Sequence, residues 1–317
     1  MSNILQANDT SQVTVKKNNA FYFFKRDLGL YLMLLVPMIA VIIFNYIPMA
    51  GLVIAFKDYD VITGFADSKW IGIDVFQEIF KSKDFYRVLR NTVVLSLMDL
   101  AVGFPAPIIL AIMLNEVRSK WFKKISQTIL YLPHFLSWII IAGIMYQLLS
   151  PVTGLVNVMI KSLGGNAIPF LSEKWHWLFT YNAVGVWQSA GWGTIIYLAA
   201  ITGINSELYE AAVVDGAGRF RKIWHITLPG IRSTIVVMLI IQLGRILGVG
   251  FERTYAMANP IVNEFSEVIS IYVYNVGIKS LRYNIATAVG LFQSAVGLIL
   301  VLGTDYISKK LGEQGII

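Results

Sequence analysis

The sequence predicts an all-α transmembrane protein, a bundle of six spanning helices, on three observations. Long stretches lack Asp, Glu, Lys and Arg entirely or nearly so, the composition is too apolar for water, and the basic residues gather at the ends of the apolar stretches. Of 317 residues, 56% are hydrophobic and only 14% are charged, whereas soluble domains carry about 25% charged residues. A helix crosses the hydrocarbon core in about 20 mostly apolar residues. Stretches of that length place spans near residues 29–53, 91–114, 125–149, 177–200, 231–250 and 283–307; the stretch 91–115 behind the second is interrupted only by Asp99, the stretch 233–251 behind the fifth only by Arg245, and 283–304 behind the sixth is clear.

The elements follow in order. The tail 1–24 is polar, and Lys16, Lys17, Lys25 and Arg26 lead into the first apolar stretch with no small-residue cleavage site behind it. That pattern predicts a retained first span rather than a cleaved secretory signal. Basic residues recur in the second loop (Arg118, Lys120, Lys123, Lys124), in the fourth loop (Arg219, Arg221, Lys222, Arg232) and in the tail 309–317 (Lys309, Lys310), while the third loop holds only Lys161 and Lys174. Lys and Arg mark the cytoplasmic side, so a membrane domain over 25–308 with both termini in the cytoplasm is expected. Trp175, Trp177 and Tyr181 then fall at the outer interface, where amphipathic rings are favoured. Pro37, Pro48, Pro105, Pro107 and Pro133 lie in or near spans and predict kinks, which lipid tolerates only where neighbours satisfy the freed backbone.

The same composition excludes several chemistries. Cysteine is absent, and the histidines, His134, His176 and His225, are far apart, so no metal site is expected. The formal charge of +7 reads as topology rather than nucleic-acid binding. No G-x-x-x-x-G-K-[ST] phosphate loop occurs, nor any Gly-Lys dipeptide; the chain should hydrolyse no ATP itself and hold no cofactor.

The fourth loop carries the most information. Asn205 or Ser206 can cap a helix whose first turn holds Glu207, complementing the helix dipole. Residues 207–214 are good helix formers, Asp215-Gly216 breaks them, and a second short helix puts Phe220, Ile223 and Trp224 on one face. Pro229 should end it and open the next span. A helix–turn–helix elbow on the cytoplasmic side is expected over 205–229, either lying on the membrane surface or docking another protein. Glu210-Ala211-Ala212, three residues, Gly216, nine residues, Ile226, one residue, then Leu228-Pro229 resembles the EAA motif of binding-protein-dependent ABC importer permeases, and Asp215, Ala217 and Phe220 fit its fuller form. Trp70-Ile-Gly with Phe76, Asp84-Phe85 and Leu89-Arg-Asn-Thr92 resembles the outer loop before the second span of carbohydrate-uptake permeases, and Phe251-Glu-Arg-x-Tyr255 with Asn259-Pro260 and Ala288-Val-Gly-Leu-Phe-Gln-Ser294 resemble the LplB-type polysaccharide permease group. Asp305, where that resemblance suggests Asn, and Asp99 within the second span depart from it.

The resemblance implies the six-helix MetI-like fold of type I ABC importers with a cytoplasmic EAA coupling elbow. It implies a second permease subunit as a heterodimer, two ATPase subunits that bind ATP-Mg, an extracytoplasmic solute-binding protein and a carbohydrate substrate. Glu210, Ala211, Ala212, Asp215, Gly216, Phe220 and Ile223 would couple to the ATPase, with Leu208 a further apolar anchor. Phe220 and Ile223 are equally open to packing on the chain's own spans.

Polar residues inside spans mark a pathway or a partner. On a continuous fifth span, Gln242, Arg245 and Glu252 fall within about 80° of one another, a stripe facing the bundle. Gln188 and Trp192 share a face of the fourth span, and Trp187, Tyr197 and Asn284 are further candidates for a sugar path. Arg245 is equally open to a structural role, paired with Asp99 or with an acid of a partner subunit. Two other readings stay in view: an ABC permease for another solute class, and a secondary transporter working alone, for which only Asp99 offers a coupling group.

Overall fold

The computed structural model describes residues 26–310 with Gly312 and Gly315; the tail 1–24, Lys25 and most of the tail after Lys310 lie outside the described residues. The described chain is helix and connection, with no β-strand and a single isolated bridge, Lys57 to Trp70. It divides into two units, Met1–Val53 and Ile54–Ile317.

Helix α1, Leu28–Phe56, makes up the described part of the first unit and crosses into the second. Its ladder changes pitch, a π turn at Ile42–Tyr46 and then a 3₁₀ stretch from Ile47, where Pro48 brings no N–H. No residue from Leu28 to Tyr46 is buried. A helix that is apolar all round belongs in lipid or in a core.

In the second unit, α2 is Lys83–Glu116, started by Ser82, whose Oγ accepts the Phe85 N–H at 3.4 Å. Pro105 and Pro107 bring no N–H to the ladder, and just ahead of them Asp99–Gly103 is a π turn in which the Phe104 N–H donates to the Asp99 carbonyl at 3.1 Å. Helices α3, Lys120–Phe135, and α4, Trp138–Leu149, meet at 101°. The third expected span is therefore a broken pair. Pro133 ends α3 in a 3₁₀ turn, and the Ser137 Oγ caps α4 by accepting the Ile140 N–H. Helix α5, Lys174–Thr202, is continuous.

Next come α6, Ser206–Val214, α7, Arg219–Gly230, and α8, Arg232–Gly244, the last two meeting at 60°. Pro229 does not end α7 as expected. A π turn at Ile223–Thr227 absorbs its missing donor, and the break comes at Ile231. The fold closes with α9, Phe251–Met257, α10, Ile269–Tyr274, and α11, Tyr283–Lys310. Four helices are long and apolar enough to cross a membrane, or up to six if each bent pair is one span.

Three apolar clusters hold the second unit. One gathers α4, α5 and α9 around Ile141, Trp177, Tyr181 and Met257. Another packs the start of α2 on α10 and α11 through Phe85, Val88, Ile269 and Val289. The third joins the end of α2 to α5 and α8 around Ile108, Tyr197 and Ile231. Trp177 and Tyr181 are thus core residues, not an interfacial belt. The Trp177 Nε1–H donates to the Met257 carbonyl at 2.9 Å, and the Tyr181 hydroxyl lies 2.8 Å from Thr254 Oγ1. Both polar tips find partners on α9, which is what permits full burial. Asp305, the departure near the end of α11, is paired with Lys309 at 3.1 Å.

Candidate functional site

The fifth apolar stretch does not stay helical. Helix α8 ends at Gly244, and the chain is irregular from Arg245 until α9 starts at Phe251. Gly244, Gly248 and Gly250 fall within seven positions, and each lowers helix propensity by about 1 kcal/mol relative to Ala. Gly244 and Gly297 also let α8 and α11 approach backbone to backbone, since a Cβ on Gly297 would overlap the Gly244 carbonyl. The face expected to unite Gln242, Arg245 and Glu252 therefore does not exist. Gln242 and Arg245 flank the end of α8, while Glu252 is exposed on a different helix. Three neighbouring helices secure the unwound backbone. Ser96 Oγ of α2 donates to the Ile246 carbonyl, Gln293 Nε2 of α11 to the Leu247 carbonyl, and Ser270 Oγ of α10 to the Val249 carbonyl at 3.1 Å. Irregular backbone at membrane depth persists only where protein satisfies it or where it lines a cavity, and both hold at this segment.

A charge pair lies beside it. Arg253, on α9, places Nη1 2.9 Å from Asp99 Oδ2 and 3.1 Å from Oδ1, with the side chains 11% and 25% exposed respectively. Nη2 donates to the Tyr181 carbonyl, and the guanidinium carbon lies 3.6 Å from the Tyr181 ring centroid and 5.6 Å from that of Trp138. Gly185, one turn beyond Tyr181, makes the room, because a Cβ there would collide with the guanidinium. The Nε–H is buried with no acceptor among the described residues. Asp99 is thus paired with Arg253 and not with Arg245, for which no carboxylate partner exists among the described residues.

Two cavities flank this pair. One, about 230 Å³, lies between α2, α5 and α8 and is lined by Asp99, Phe104, Ser189, Tyr197, Gln242 and Arg253 among others. The other, about 200 Å³, runs along the unwound segment and is lined by Ser96, Asp99, Gln242, Arg245 and residues 248–250. Asp99 and Gln242 belong to both walls. Polyhydroxyl compounds need hydrogen-bonding side chains converging on a concave surface, and such sites form where helices break.

The 205–229 loop is built as follows. The Asn205 side chain caps α6 by accepting the Glu207 N–H at 3.0 Å. Gly216 has φ +72; its N–H donates to the Val213 carbonyl at 3.1 Å and the Ala217 N–H to the Ala212 carbonyl at 2.8 Å. That pair of bonds around a left-handed residue is a Schellman stop, which only glycine enters without strain. The Tyr209 hydroxyl meets Thr227 Oγ1 at 2.9 Å, joining α6 to the end of α7, and Arg219 lies 4.0 Å from Glu116 at the end of α2. Leu208, Val213, Val214, Phe220 and Trp224 are all exposed. These exposed apolar side chains sit on a short, well-stopped helix pair.

Residues 103–313 match the family described as "Binding-protein-dependent transport system inner membrane component". The chain belongs to that family. Among its relatives, this inner membrane component is 47% identical to Protein LplB of Bacillus subtilis (strain 168) over 92% of each chain. It is 48% identical to the polygalacturonan/rhamnogalacturonan transport system permease protein YteP of the same strain, over 90% of this chain and 89% of YteP. A crystal structure of a bacterial ABC transporter involved in the import of the acidic polysaccharide alginate superposes with a TM-score of 0.85 and 45% identity, covering 92% of this chain and 99% of that one. A second structure, the alginate ABC transporter in complex with an alginate pentasaccharide-bound periplasmic protein, gives 0.85 at 44% identity. The fold is thus MetI-like and all-α, and the inner membrane component is a multi-pass membrane protein.

In this inner membrane component the sequence-derived candidates scatter. Gln242 and Tyr197 line the cavity of about 230 Å³, and Gln242 and Arg245 that of about 200 Å³. Gln188 is buried, its Nε2 3.5 Å from the His134 carbonyl, and Trp192 stacks on His134 with ring centroids 4.7 Å apart; together they brace the α3–α4 bend and line neither cavity. Asn284 is buried at the start of α11, where its Oδ1 accepts the Ile285 N–H. On the loop, Glu210, Ala211 and Asp215 are exposed and Ala212 and Ile223 half-buried, while Phe220 at 80% exposure does not pack on the chain's own spans. Sequence reasoning missed Arg253, Gly185, Ser96 and Ser189. The three glycines signalled the break that carries Arg253 into the bundle, and a lone acid at position 99 signalled a basic partner.

Proposed function

We propose that this chain is the membrane-spanning permease subunit of an ABC importer that brings an oligosaccharide into the cell. The observation that carries the reading is the match along nearly the whole chain to the alginate importer chain, at 45% identity and a TM-score of 0.85. The relatedness to YteP, named for polygalacturonan and rhamnogalacturonan, favours a saccharide over other solutes. In this reading each bent pair is one span, making six, and both termini are cytoplasmic, as the Lys and Arg distribution favours.

The subunit pairs with a second permease, and two ATPase subunits supply the ATP-Mg chemistry. A solute-binding protein delivers the sugar from outside. The exposed face of α6 and α7 docks in an ATPase cleft. Glu210 reaches a basic group there, and Gly216 keeps the stop rigid so that ATP closure moves the spans. The path runs past the cavities at Asp99 and Gln242, and alternating access opens them first outward and then inward. The test is uptake of labelled oligosaccharides into liposomes holding the full complex and its binding protein. ATP-dependent uptake supports the reading. Uptake by this chain alone, without ATPase subunits, would overturn it in favour of a secondary transporter.

A further inference from the structure

The unwound segment 245–250 is one-sided in its hydrogen bonding. Its acceptors at Ile246, Leu247 and Val249 are occupied by Ser96, Gln293 and Ser270. Its amide donors at Val249 and Gly250 meet no acceptor among the described residues, and both residues line the cavity of about 200 Å³. Val249 is 8% exposed. Arg245 lines the same wall, and the acid there, Asp99, is already neutralised by Arg253. The wall therefore offers N–H donors and the exposed Arg245 guanidinium, which has no carboxylate partner among the described residues, and a charge at membrane depth calls for a counter-charge.

We propose that this cavity is a subsite for a carboxylate-bearing sugar unit, with Arg245 as the residue that selects for the charge. A guanidinium presents paired N–H groups in the geometry of a carboxylate fork. The amides of Val249 and Gly250 supply further donors, and the Gln242 amide, able both to donate and to accept, suits a neighbouring hydroxyl. The proposal rests on the carbohydrate-import reading and adds the class of sugar.

The test compares uptake of an oligogalacturonate with that of its methyl ester in liposomes containing the complete transporter, each normalised to binding-protein occupancy. Binding-protein-stimulated ATP hydrolysis verifies that each complex is assembled. In the wild type, the acid form enters faster than the ester. In Arg245→Gln the ratio of acid to ester uptake falls about tenfold or more, the size of one charge-assisted hydrogen bond, while Arg245→Lys, which keeps the charge and loses the fork, falls between that variant and the wild type. An equal wild-type rate for the two forms overturns the proposal even if no variant assembles. An unchanged ratio in Arg245→Gln, or loss of the assembled complex in that variant together with rescue by a neutralised acid on the partner permease, overturns it as well and leaves carbohydrate import standing. Failure of the wild type to import either form strikes at the carbohydrate reading itself.

Discussion

Breaking the Asp99–Arg253 pair should reveal how firmly the broken fifth stretch is anchored. Removing one member of a buried ion pair costs about 3–5 kcal/mol, mostly because the other charge is stranded. Three features reduce that figure here. The Asp99 side chain is 25% exposed to its cavity, Arg253 Nη2 keeps the Tyr181 carbonyl, and the guanidinium keeps the Tyr181 ring at 3.6 Å. About 2–3 kcal/mol is therefore expected for Asp99→Ala, after the residual cation–π attraction. Large domains shift by roughly 2–4 °C per kcal/mol, so the melting midpoint should fall by about 5–10 °C. Arg253→Met strands the Asp99 carboxylate and should cost a similar amount. The double change Asp99→Ala/Arg253→Met leaves no orphaned charge and should recover about 1–3 kcal/mol relative to the sum of the singles. The assay is thermal unfolding of the assembled complex in one detergent for all four proteins. If the singles add to the double within about 0.5 kcal/mol, the two side chains act independently and the anchoring argument is wrong.

Other consequences follow from the same geometry. A Cβ at Gly191 would overlap the Leu130 carbonyl, a backbone atom that cannot turn aside; Gly191→Val should force α5 and α3 apart at a cost of about 1–3 kcal/mol, read as a lower yield of detergent-stable protein. Ser96→Ala and Gln293→Leu each free a carbonyl of the unwound segment, and an unsatisfied acceptor costs about 1–3 kcal/mol, so both should melt earlier than the wild type. Gly216→Val forces a β-branched residue to φ +72, a strain of about 1–2 kcal/mol. It should reach the membrane at normal levels on an immunoblot yet lose ATP-driven uptake, as should Glu210→Ala; normal transport in both would remove the docking role of α6.

The sequence made the helices and the family legible because those depend on local composition. Leu28–Phe56, Lys83–Glu116, Lys174–Thr202 and Tyr283–Lys310 contain the expected first, second, fourth and sixth spans, since a long run of apolar residues has few alternatives. The helix–turn–helix after Asn205 was legible for a related reason: Asn205 and Gly216 act through their own backbone neighbours, and a cap or a left-handed stop needs no distant partner. The bend at Leu136–Ser137 was half legible, because Pro133 announced a kink but not its 101°.

What stayed hidden was everything that depends on which helix lies beside which. Trp177 and Tyr181 read as an interfacial pair because amphipathic rings favour an interface, and only the placing of Thr254 and Met257 opposite them makes burial affordable to their polar tips. Extending a helical wheel from Gln242 to Glu252 assumed a ladder that Gly244, Gly248 and Gly250 weaken and that Ser96, Gln293 and Ser270 replace. The break is stable because those three donors come from three other helices, none adjacent in sequence. Arg253 shows the same dependence: its charge belongs inside the bundle only because the broken helix turns back toward Asp99 and Gly185 leaves a gap for the guanidinium. A residue whose placement rests on two other helices and on a missing methyl group leaves little trace in any window of its own sequence, which is why the lone acid at Asp99 was the better clue to the site than any basic residue near it.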